Sequence, residues 1–102
     1  MSYISVTLGR EAERMSALRE VYEKQLNDLP KGSLRVRERG DRKYFYLSYR
    51  KDGKVVSDYV GNDESVVSEL REQLERRKNI ENLLKSIKNE LRLMNRALEV
   101  AK

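Results

Sequence analysis

The sequence predicts an α+β fold in the order N-terminal helix, three-stranded antiparallel β-meander, long C-terminal helix. Three observations carry this. Apolar residues recur at three- and four-residue steps from about Arg10 to Leu29, the period drops to two between Ser33 and Gly61, and a helical period returns over 63–101 with neither proline nor glycine to interrupt it. At 102 residues the chain has room for one domain with a modest core, so residues 1–102 are expected to form a single domain.

The first helix is predicted over 10–29 from Ala12, Met15, Leu18, Tyr22, Leu26 and Leu29, with Arg, Glu and Lys filling the positions between. Pro30 and Gly32 end it, because proline disfavours the helical conformation in the residue before it and glycine reverses the chain at little cost. Residues 1–9 alternate only weakly through Tyr3, Ile4, Val6 and Leu8, and fit either a short edge strand or a lead-in.

Leu34 to Arg39, Tyr44 to Arg50 and Val55 to Val60 read as three strands within 33–61. Asp52-Gly53 is a strong two-residue hairpin signal, since the turn that matches strand twist needs positive φ at both central residues; Gly40-Asp41 is a weaker form of it. With two-residue loops at both places, Arg39 faces Arg42, Lys51 faces Lys54, and the register follows by counting outwards. One face then gathers Leu34, Val36, Phe45, Leu47, Tyr49, Val56 and Val60, with Asp58 the misfit, and is the expected core face. The other gathers Arg35, Arg37, Arg39, Tyr44, Tyr46, Ser48, Arg50, Val55, Ser57 and Tyr59, with Arg35, Tyr46 and Tyr59 in one cross-strand row.

Asn62 or Asp63 can cap the following helix, with Glu64 in its first turn. Ile80, Leu84, Ile87, Leu91, Met94, Leu98 and Ala101 form a coiled-coil-like stripe. The earlier stripe of Val67, Leu70 and Leu74 falls out of phase with it, because Arg77 and Glu81 stand where apolar residues should come. Either one helix changes its buried face near 76–79, or the segment folds back as a helical hairpin; the lack of a breaker favours the unbroken helix. The later stripe can pack on the first helix or pair with a second copy in a homodimer.

Neither cysteine nor histidine is present. Disulfides, the usual zinc sites and the Ser-His-Asp and Cys-His constellations are therefore excluded, and no enzyme activity, metal or cofactor is expected. Asp58 and Asp63 are too ordinary a pair to suggest a metal. No leader-like segment opens the sequence and no stretch approaches the roughly 20 apolar residues of a membrane span, so a soluble, cytoplasmic protein without membrane contact is expected.

The net charge of +5 is concentrated in the middle: residues 1–32 carry five Lys/Arg and five Asp/Glu, 33–61 carry eight and four, and 62–102 carry nine and eight. Clustering on one element is the footprint of a polyanion site. Arginine forks pair with phosphate, and tyrosines stack on bases. The candidate nucleic-acid-binding residues are thus Arg35, Arg37, Arg39, Tyr44, Tyr46, Arg50 and Tyr59. The competing account is a helix covering those rings, with the arginines as solvated charge that guards an edge strand. The run Arg76, Arg77 and Lys78, with Lys85, Lys88, Arg92 and Arg96 further along, alternates with Glu72, Glu75, Glu81, Glu90 and Glu99, and fits a solvated helix surface better than a second site.

The strings Pro30-Lys31-Gly32-Ser33-Leu34, Tyr44-Phe45-Tyr46-Leu47-Ser48-Tyr49-Arg50, Gly53-Lys54-Val55 and Tyr59-Val60-Gly61 resemble a family of small uncharacterised prokaryotic proteins with a tyrosine-rich three-strand core and a charged helical tail. The resemblance covers roughly residues 30–100. It implies an occupant of phages or other mobile elements, acting in nucleic-acid handling or in inhibition of host defence, including anti-CRISPR-like proteins. By architecture alone the sheet also resembles the DNA-reading arm-binding domains of tyrosine integrases. Two functions are therefore expected: a non-enzymatic accessory protein that binds nucleic acid, DNA ahead of RNA, or an inhibitor or adaptor that blocks a host nucleic-acid-binding protein.

Overall fold

In the computed structural model, which describes residues 3–100, the first helix, α1, runs from Tyr3 to Asn27. It begins seven residues before the expected start. The weak alternation of residues 3–8 gives way to a seven-residue spacing, Leu8 to Met15 to Tyr22, that keeps half-buried side chains on one face. Gly9 costs only about 1 kcal/mol within a helix, and the Thr7 hydroxyl donates to the Tyr3 carbonyl at 3.0 Å. At the other end, α1 stops two residues short of Leu29, because Leu29 precedes Pro30 and cannot easily stay helical.

The strands β1 (Ser33–Arg39), β2 (Arg42–Lys51) and β3 (Lys54–Gly61) form an antiparallel meander in that order. Asp52 and Gly53 both have positive φ, 53° and 78°, as the tight hairpin requires. In the β1–β2 turn only Gly40 does, at 63°, the pattern of a turn with glycine at its first central position. Arg39 pairs with Arg42 and Lys51 with Lys54, and the row Arg35, Tyr46, Tyr59 forms as the turn positions dictate. Counting fails at one place. Phe45 pairs with Gly61 instead of Val60, so Val60 is an extra residue in β3, a bulge where the sheet ends.

The core face is also less complete than the alternation suggests. Leu34, Phe45, Leu47, Tyr49, Val56 and Val60 are half-buried, but Val36, on the edge strand β1, is 51% exposed. Asp58, the misfit on this face, accepts a hydrogen bond from the Tyr49 hydroxyl at 2.8 Å. That bond pushes the tyrosine's pKa up, with desolvation and the carboxylate's charge adding to it.

The last element, α2, is a single helix from Glu64 to Val100, about 55 Å long at ~1.5 Å per residue. Ala101, the final member of the predicted stripe, lies outside the described residues. Asp63 is the cap: its Oδ1 accepts from the Ser65 amide at 2.9 Å and the Ser65 hydroxyl at 2.7 Å. No described helix is long and apolar enough to cross a membrane.

The chain gathers into two compact units. One, residues 29–78, contains the sheet and the first part of α2; there Val67 is buried and the Arg71 guanidinium lies 5.6 Å from the centre of the Phe45 ring, on the sheet's core face. The other comprises residues up to 28 and from 79, in which Ile80, Leu84, Ile87 and Leu91 of α2 are only 4–8% exposed. Leu91 and Arg92 share a cleft with Arg19 of α1, and Met94 and Leu98 are half-buried. Four members of the stripe are thus buried within the chain. Arg77 accounts for the phase change. It is half-buried in place of an apolar residue and donates from Nη1 to the Leu29 carbonyl at 3.0 Å. Through it the inward positions 67, 70, 74, 77, 80 and 84 follow one another with a four-residue step shortened to three.

Candidate nucleic-acid interface

The face of the sheet opposite Phe45 is assembled by strand alternation alone. Residues two apart on a strand point to the same side, and the register lays Arg35 beside Tyr46 and Tyr59, Arg37 beside Tyr44, Arg39 beside Arg42, and Arg50 beside Val55. All seven residues the sequence nominated fall on this one face. It also receives Arg42, which sequence reasoning left out although the Gly40-Asp41 turn already set it against Arg39. The β-strand residues on this side comprise five arginines and no carboxylate. Glu38 and Asp58 point to the other face, where Glu38 meets Lys43 at 3.9 Å.

The tyrosines form a cluster at the centre. The Tyr46 and Tyr59 rings are 5.3 Å apart and tilted by 55°, and Tyr44 and Tyr59 are 6.3 Å apart at 42°. Such tilted contacts suit the ring quadrupoles. The Arg37 guanidinium lies over the Tyr46 ring at 5.5 Å. Tyr44 and Tyr46 are half-buried by these neighbours, while Tyr59 stays 58% exposed and Arg35, Arg37, Arg39, Arg42 and Arg50 are all exposed. The cluster is therefore fixed in geometry yet open on its outer side. Nonpolar rings flanked by guanidinium groups offer stacking surface and charge-assisted hydrogen-bond donors together, a pairing that matches the two parts of a nucleotide.

Two carboxylates elsewhere in the sheet unit have structural partners. Asp58 receives the Tyr49 hydroxyl, and Asp63 caps α2, its pKa held low first by the Ser65 hydroxyl and then by the Ser65 amide. A cleft of the sheet unit, between the β1–β2 turn and the start of α2, mixes Arg42, Lys43 and Arg71 with Asp41 and Glu64, so its charges largely offset one another.

No curated protein and no solved structure matches the chain. A family model does: a domain of unknown function, DUF6788, matches residues 10–72, which takes in most of α1, the whole sheet and the start of α2. With more than half its length covered, and with the Arg/Tyr face inside the matched region, the chain belongs to the DUF6788 family.

Proposed function

We propose that this chain is a non-enzymatic nucleic-acid-binding accessory protein that works in the cytoplasm through the Arg/Tyr face of its sheet. A role in the nucleic-acid handling of a phage or other mobile element belongs to the same proposal. The single observation that carries it is the composition of that face: five exposed arginines and no strand carboxylate surround a tyrosine cluster whose outer member, Tyr59, is 58% exposed. A purely structural cluster under a helix would bury the outer ring, and a solvated face that served only solubility would mix both signs of charge.

Polyanion binding by arginines releases counterions, so affinity falls with salt by a log-log slope of about 0.9 per phosphate neutralised on duplex DNA and about 0.7 on single strands. Titration of labelled DNA and RNA at two salt concentrations is the test. Wild-type protein is expected to bind with a steep slope, and the Arg35→Ala, Arg37→Ala, Arg50→Ala triple variant with a flatter one. Absence of binding even at low salt would turn the same face towards an acidic protein partner, as an inhibitor of a nucleic-acid-binding effector would use it.

A further inference from the structure

Charge is not spread evenly across the three strands of this face. β1 contributes Arg35, Arg37 and Arg39; β3 contributes Val55, Ser57 and Tyr59 and nothing charged. β2 lies between them, with its face arginines, Arg42 and Arg50, near its two ends. The outer strands are roughly 10 Å apart at ~4.8 Å per strand. One margin of the face is thus cationic. The other is uncharged and apolar, with Val55 67% and Tyr59 58% exposed.

A sheet lying in a duplex groove meets a phosphodiester backbone on each wall, so both of its margins should be cationic. A single strand has one backbone, with its bases turned away to one side. That is the asymmetry seen here. The β1 arginines, repeating every second residue at about 6.8 Å, follow a line of phosphates. The β3 margin presents what a base needs, an accessible ring at Tyr59 and aliphatic surface at Val55. Tyr46, 5.3 Å from Tyr59 and itself under Arg37, acts as a buttress that sets the pose of the exposed ring.

Resting on the nucleic-acid reading above, we propose that the ligand of this face is single-stranded nucleic acid, its backbone running along β1 and its bases crossing β2 towards Tyr59 and Val55. The test uses the full chain and three fluorescein-labelled probes of about 12 nucleotides, within the range of sites on comparable sheet surfaces: single-stranded DNA, single-stranded RNA of the same sequence, and the DNA duplex. Fluorescence anisotropy is expected to give at least about tenfold tighter binding to a single strand than to the duplex. Tyr59→Leu should weaken single-strand binding about tenfold, the lower part of the range for one stacked base, and leave the salt slope unchanged. Tyr59→Phe, which keeps the ring, should retain the affinity. Either sugar satisfies the proposal, and the tighter single strand names the ligand. A duplex bound as tightly as the single strands, or a Tyr59→Leu variant that binds like wild type, overturns the single-strand proposal and leaves nucleic-acid binding standing. Failure of all three probes to bind at low salt overturns both.

Discussion

Gly32 stands where the chain passes from α1 into β1, at φ 122°, and a Cβ placed there would lie 2.3 Å from the Ser48 carbonyl oxygen. Both the backbone conformation and the close approach require glycine. Gly32→Ala is therefore expected to destabilise the protein by about 2 kcal/mol or more, measured by urea unfolding, because the obstacle is backbone and cannot swing aside. Asp63 makes a second prediction at this scale. Its folded-state pKa is lowered, chiefly by the Ser65 hydroxyl and amide. A depressed carboxylate contributes stability that is present above the unfolded-state pKa and lost as pH falls through the folded-state value. The thermal midpoint of wild type should exceed that of Asp63→Ala at neutral pH, and the gap should narrow as the pH drops below about 4. A gap that stays constant into acid would show that the carboxylate's ionisation contributes nothing to the cap.

Among the elements, α2 contains every described side chain that is buried outright: Val67, Ile80, Leu84, Ile87 and Leu91. Leu84→Ala should accordingly cost about 2–4 kcal/mol in urea unfolding, whereas a change at the open edge position Val36 should cost little. The sequence made most of this architecture legible, through local rules. Two dipeptides, Gly40-Asp41 and Asp52-Gly53, set the register and hence the row Arg35, Tyr46, Tyr59. The absence of a breaker after Gly61 gave one helix instead of a hairpin. What escaped depended on tertiary context. Val60 bulges where β3 leaves the sheet, which no alternation announces. Val36 has the right parity for burial but sits on an edge strand. The start of α1 was obscured by a weak alternation that lacks a strand partner, and Arg77 looked like an interruption until its bond to the Leu29 carbonyl gave it a place in the buried stripe. Arg42 is legible in the same way, since the pairing that places Arg39 places it as well.

For the molecule as a whole, a net charge of +5 would mean little if it were evenly spread. Strand alternation sorts it, sending arginines to one side of the sheet and Glu38 and Asp58 to the other, and the tyrosine cluster gives the cationic side a stacking surface. The two units have separate work in this account: the stripe of α2 from Ile80 to Leu91 stabilises the helical unit, and the sheet unit carries the face. Changes to the arginines should therefore leave folding intact. The decisive experiment is the salt dependence of oligonucleotide binding by wild type and by the Arg35→Ala, Arg37→Ala, Arg50→Ala variant, with circular dichroism to verify that both are folded. The folded variant is expected to bind more weakly, with a slope smaller by about 0.7–0.9 for each phosphate that the missing arginines no longer neutralise. Equal affinities and equal slopes for the two folded proteins would contradict binding through this face.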